Sequence, residues 1–115
     1  MKSIDLNGKK FGLLANSENG EVSSETIFEY KQTGDLVTAE YCGGNIRYGK
    51  ILARQNEAGN LEMTYHCLTN DGELKAGKAL ATVSINEQGK TQLDLDWKWI
   101  DGDESKGTSR YVEID

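Results

Sequence analysis

The alternation of apolar and polar positions is clearest between Thr91 and Ile100. Leu93, Leu95, Trp97 and Trp99 interleave without a break with Gln92, Asp94, Asp96 and Lys98. A period of two puts the first set on one face of a β-strand and the second on the other. The apolar face carries both tryptophans of the chain. Burying one aromatic side chain removes about 150–250 Å² from water, worth several kcal/mol at about 25 cal/mol per Å². This stretch is the largest hydrophobic deposit in the sequence, and it predicts the wall against which the other strands close.

The same period recurs along the chain. Residues 9–15 form a short apolar segment, followed by the turn formers Asn16-Ser17-Glu18-Asn19-Gly20. Over 24–33, Thr26, Phe28 and Tyr30 face one way and Glu25, Glu29 and Lys31 the other, with Ile27 the exception. Gly34-Asp35 fits a two-residue II′ hairpin turn. That turn sets Tyr30 opposite Ala39 and Phe28 opposite Tyr41 in a strand over 36–43. After Gly43-Gly44-Asn45 the phase is open. A three-residue loop turns Gly49, Ile51 and Ala53 inward; a two-residue loop turns Ile46, Tyr48 and Leu52 inward; a bulge near 47–49 would mix the two.

Leu61, Met63, Tyr65 and Cys67 share a face over 61–69, with His66 on the other. Asn70-Asp71-Gly72 is a strong turn signal. A strand over 73–85 presents Gly77, Ala79, Ala81 and Val83. A loop over 86–90 would set these opposite Trp99, Trp97, Leu95 and Leu93, the smallest side chains against the largest. A loop over 101–107 and a strand over 108–114 complete the chain. Segments 49–58 and 73–82 hold good helix formers, but each has an interior glycine and lacks an apolar stripe at helical spacing. The pattern predicts an all-β fold over residues 1–115: a single eight-stranded antiparallel up-and-down barrel, whose closure removes exposed edges.

Composition agrees. Thirteen glycines and no proline suit strands and tight turns. A net charge of −6 argues against a nucleic-acid partner, whose affinity is dominated by phosphate contacts. No apolar run reaches membrane-spanning length, and the first residues lack the apolar core of a signal peptide. Cys42 and Cys67 are too few for a secreted disulfide framework. These features predict a cytoplasmic protein with two reduced, partly buried thiols.

Asn19-Gly20-Glu21-Val22-Ser23-Ser24-Glu25-Thr26-Ile27-Phe28-Glu29-Tyr30 and the stretch Ala39–Ile46 resemble a family of small uncharacterised bacterial proteins. So does Trp97-Lys98-Trp99 followed by Gly102–Ser109. Members often carry the label N-acetylglutamate synthase. The family is similar in outline to the calycins, the lipocalin- and streptavidin-like barrels, which implies a closed barrel but supplies no functional residues. An acetyltransferase of the usual kind holds a pyrophosphate on a glycine-rich turn at a helix N-terminus. The chain offers no such strand–loop–helix unit, so its residues do not support that activity.

Phe28, Tyr30, Tyr41, Tyr65, Trp97 and Trp99 share the inferred inner face. They form either a packed core or a ligand cavity lined by aromatics with phenol and indole handles. His66 falls on the outer face, and its neighbour Cys67 points the opposite way, which argues against a shared zinc site. Residues 101–107 echo a calcium loop, but Lys106 stands where the sharp-turn glycine belongs. Asp94 and Asp96 read as outer-face solubilising charges. Tyr48, grouped outward with Ile46 and Leu52, would make an apolar strip suited to a dimer contact. The sequence thus predicts a non-enzymatic binder of a small, partly apolar ligand. It predicts no catalytic residue, metal or cofactor, no nucleic-acid or membrane partner, and a monomer or weak homodimer. The alternatives are a small enzyme with an acid–base group in the barrel mouth, or an interaction module with a solid core.

Overall fold

The structure, a computed structural model, describes residues 4–16, 25–100 and 106–114. Eight strands follow one another: β1 (Lys10–Asn16), β2 (Ile27–Thr33), β3 (Leu36–Gly43), β4 (Ile46–Gln55), β5 (Leu61–Thr69), β6 (Leu74–Ile85), β7 (Thr91–Trp99) and β8 (Lys106–Ile114). Each pairs antiparallel with the next, and β1 pairs with β8 to close the barrel. The described residues contain no helix, hence none long and apolar enough to cross a membrane. The two segments rich in helix formers lie mostly in β4 and β6.

The turns set the register. Gly34 has φ 62°, a left-handed value that glycine adopts without a Cβ penalty. The β2–β3 hairpin pairs Tyr30 with Ala39 and Phe28 with Tyr41. In the 86–90 loop, the Asn86 side-chain oxygen accepts from the Gln88 and Lys90 N–H groups. Beyond it Val83, Ala81, Ala79 and Gly77 pair with Leu93, Leu95, Trp97 and Trp99.

Strand β4 combines both candidate phases. Gly49, Ile51 and Ala53 face inward, and so does Ile46, because the pairing with β5 slips one residue between Ile46 and Tyr48. The bulge corrects the strip expected from Ile46, Tyr48 and Leu52: Ile46 is buried, and only Tyr48 and Leu52 stand outside. The apolar row that does form on the outer wall is Tyr48–Leu68–Leu74, paired directly across β4, β5 and β6. At the far end, β8 starts at Lys106 rather than 108, since Gly107 and Lys106 pair with Trp97 and Lys98. The acidic segment 101–105 lies outside the described residues.

The two ends of the barrel differ. The 34–35, 56–60 and 86–90 loops gather at one end, where the segment before β1 crosses from β2 to the end of β4. Leu6 within it is fully buried. Its N–H donates to Gln32 Oε1 at 2.9 Å. Gln32 Nε2 donates to Gln55 Oε1 at 2.7 Å, and Gln55 Nε2 to the Ile4 carbonyl at 3.0 Å. The Gly8 N–H reaches the Tyr30 carbonyl at 2.9 Å. Glu113 ties β8 to the same end, accepting from the Thr91 N–H and from Lys9 Nζ. Leu6 and these amides form a floor that the strand pattern did not reveal.

Replacing Leu6 by Ala removes a fully buried side chain from that floor. Urea unfolding is expected to show a loss of about 2–5 kcal/mol, the range for buried Leu→Ala changes. A loss under 0.5 kcal/mol, the scale of ordinary surface changes, would mean that the segment does not pack as described.

Candidate functional site

Inward-facing side chains from the strands line the lumen, and the structure brings most of the expected aromatic set together there. Phe28, Tyr30, Tyr41 and Trp97 are buried, and Tyr65 is half-buried. The side chain of Trp99 lies outside the described residues, although its backbone pairs with Gly77. Phe28 stacks on Tyr41 with ring centroids 4.6 Å apart and meets Tyr111 edge-on at 4.8 Å. Tyr30 is set apart from these, toward the floor, edge-on to Phe11 at 5.2 Å.

Two glycines make the room for the tyrosines. A Cβ on Gly49 would lie 2.2 Å from the Tyr41 ring, and one on Gly77 would lie 2.5 Å from the Tyr65 oxygen. Each glycine is the cross-strand partner of the tyrosine that covers it. The space opposite the second tryptophan position is therefore occupied by Tyr65.

Polar groups concentrate away from the floor. Tyr41 lies near the 43–45 loop, Tyr65, Cys67 and Thr69 in the half of β5 leading to the 70–72 turn, Trp97 near the end of β7, and Ser109 near the start of β8. Trp97 Nε1 donates to Ser109 Oγ at 2.8 Å, and Ser109 also bonds Tyr111. The Tyr41 hydroxyl donates to the His66 carbonyl at 3.4 Å and is hydrogen-bonded to Cys67. Toward the floor the lining turns aliphatic, with Val37, Ile51, Leu61, Ala81 and Leu93. Ser109 and Tyr111 had not been singled out. Their strand carries few apolar residues, and the only local signal is the spacing of two across Ser109-Arg110-Tyr111.

Desolvation dominates the electrostatics of the lumen. Burial raises the phenols of Tyr30, Tyr41 and Tyr65 well above the ordinary tyrosine value. It pushes Tyr111 up to about 12, against the lowering effect of the Ser109 hydrogen bond. Among the described residues, the buried side chains include no carboxylate, imidazole or amine. The two thiols divide: Cys67 is buried, but Cys42 is exposed, correcting the expectation that both would be partly buried. His66 faces solvent, opposite in direction to Cys67. On the outer wall, Asp94 is more than a solubilising charge. Partial burial pushes its carboxyl up, but hydrogen bonds from Arg110 and Gln92 outweigh this and hold it below the usual range.

Gly49→Ala should drive a methyl group into the Tyr41 ring and cost about 1–3 kcal/mol, as overpacking does; chemical denaturation measures it. A phenol whose folded pKa lies above its unfolded value stabilises the fold fully below the unfolded value of about 10, and loses that contribution as pH rises through the folded value. Alkaline titration at 295 nm is therefore expected to show these four phenols ionising together with loss of near-ultraviolet circular dichroism. Their ionisation near pH ~10 with the dichroism intact would contradict the packing.

The closed meander, the floor and the aromatic lumen are features that a comparison with known proteins can test. No curated protein and no solved structure matches the chain. One family model does, over residues 4–114, from the floor segment to the last strand. Its description is avidin-like protein, so the all-β barrel of the calycin kind has both a register and a lineage, and the chain belongs to the avidin-like protein family.

Proposed function

We propose that the protein binds a small, partly apolar molecule at the end of the lumen remote from the floor, against Tyr41, Tyr65 and Trp97. Phe28 backs Tyr41, and Tyr30 supports the site from below. The observation that carries this reading is the uneven distribution of interior polar groups. Tyr41, Tyr65, an indole, a thiol and hydroxyls gather toward one end, while the other, apart from Tyr30 and Thr91, is lined by apolar side chains and sealed by Leu6. Packing explains why these groups lie where partners are available, and their convergence at one end also suits a ligand site, since an apolar pocket with a few convergent polar groups supplies both affinity and orientation. Tyr65 is the tyrosine of this set that is only half-buried; its hydroxyl is enclosed, so it is the ring that is reached from that end.

Binding is favoured over chemistry by the fully buried inward groups; the half-buried Lys75, opposite Cys67 and on the same face of β6 as Gly77, is the amine nearest that end. Phenols raised by burial stay protonated at neutral pH and donate hydrogen bonds without exchanging protons. The family is consistent with a small-molecule binder. In this reading the protein is a monomer or weak homodimer, with the Tyr48–Leu68–Leu74 row as the contact, and it works in the cytoplasm.

Tryptophan fluorescence against a library of small metabolites tests the reading. A true ligand should shift the emission, and Tyr65→Phe or Tyr41→Phe should weaken it about 10-fold, the effect of losing roughly 1.4 kcal/mol at one hydrogen bond. Tyr48→Phe, on the outer wall, should not. A library that leaves emission unchanged, or a ligand indifferent to both inner substitutions, would remove the lumen as the site.

A further inference from the structure

The outer wall carries a second feature, independent of the lumen. Cross-strand charges there are mostly complementary. Arg54 pairs with Glu62 and Asp94 with Arg110. Even the like pair Glu29–Glu40 is flanked in register by Lys10 and Lys50. One row breaks this rule. Lys78 stands directly opposite Lys98, and Lys98 directly opposite Lys106, across β6, β7 and β8. All three are exposed. Like charges directly opposite one another destabilise a sheet, and this chain has a net charge of −6 with ample acidic residues to alternate. Among the described residues, neither Lys78 nor Lys98 has an ion-pair partner.

The row lies in a groove of about 870 Å³ on the outside of the barrel. In register beside the lysines the wall turns apolar. Leu80 follows Lys78 on the same face of β6, and Leu52 pairs with Thr64, itself the partner of Lys78. Leu80 and Leu52 are 64% and 57% exposed. We infer that this groove binds an amphiphilic anion as a single molecule, its carboxylate-type headgroup at Lys78 and Lys98 and its aliphatic chain across Leu80 and Leu52. Charge complementarity identifies the headgroup and the two leucines the chain. The groove volume falls within the range of small-molecule sites, about 300–1,000 Å³. Asp35, Glu62 and Asp96 border the same groove. They would repel a broad acidic surface, protein or membrane, but leave room for one headgroup.

Decanoate below its micellar concentration is the probe, with decanol and acetate as the neutral and chainless controls. Binding is read by calorimetry and by backbone amide shifts. Decanoate should bind at least 10-fold more tightly than either control and weaken several-fold as salt rises, because the lysines are exposed. K78Q/K98Q should lose at least 10-fold, with thermal stability unchanged or raised because the cross-strand repulsion is relieved. L80Q should lose affinity for decanoate but not for acetate. Y65F, the lumen variant, should leave decanoate binding unchanged, which separates this site from the proposed one. Four results would overturn the inference: decanoate binding that survives K78Q/K98Q; shifts confined to lumen residues; acetate binding as tightly as decanoate; or recruitment only by phosphatidylglycerol vesicles.

Discussion

Closure of β8 onto β1 is the constraint from which the other features follow. Eight short antiparallel strands can satisfy every backbone group only if the last finds the first. Once they meet, the circumference is set, and so is the volume the inner side chains must fill. Among the described residues seven inward side chains are aromatic, and such rings cannot all face other large side chains in a lumen of that size. The sequence meets this by placing glycine opposite tyrosine twice, at Gly49–Tyr41 and Gly77–Tyr65. Neither glycine has a left-handed φ, so their role is room for a ring and not backbone freedom.

Closure also makes the two ends unequal. Hairpin loops of two to five residues cannot cap a barrel mouth by themselves. The floor is made by a segment outside the strands, anchored through the Gln32 and Gln55 side chains, which keep its backbone groups hydrogen-bonded while Leu6 is buried. With that end sealed by aliphatic contacts, polar groups in the lumen are least costly near the other, where partners such as the His66 carbonyl and Ser109 Oγ are available. The gradient of polarity along the barrel therefore has an energetic cause before it has a functional one.

Much of this was legible in the sequence because turn chemistry and strand period constrain each other. Gly34-Asp35 and the 86–90 loop each allow one register that keeps the apolar set inside, and the structure adopts those registers. Where two loop lengths left equally plausible faces, as after Gly43-Gly44-Asn45, pattern alone could not choose, and the bulge between Ile46 and Tyr48 turns Ile46 inward along with Gly49, Ile51 and Ala53. The start of β8 was missed because Lys106-Gly107 has no apolar member to reveal pairing. The floor was missed because a buried leucine in a non-periodic segment leaves no repeat to detect. Of the candidate site, the aromatic set was visible and its hydrogen-bonding partners were not. Ser109 matters through the indole it accepts from, a relation that exists only once β7 and β8 are side by side.

The outer wall shows the same principle at longer range. Inward positions of a closed barrel are constrained by volume, so their chemistry reports packing first. Outward positions are free to vary, so a departure from charge alternation there carries more information. Lys78, Lys98 and Lys106 are separated in sequence by 20 and 8 positions, and no local pattern connects them. The barrel register brings them into one row. Directly opposed charges elsewhere on the wall are mostly of opposite sign, so three lysines in register are a departure that packing does not require. Its groove and the lumen lie on opposite sides of the same sheet, with Trp97 facing in and its neighbours Asp96 and Lys98 facing out. A molecule held on either side would bear on the same short run of β7.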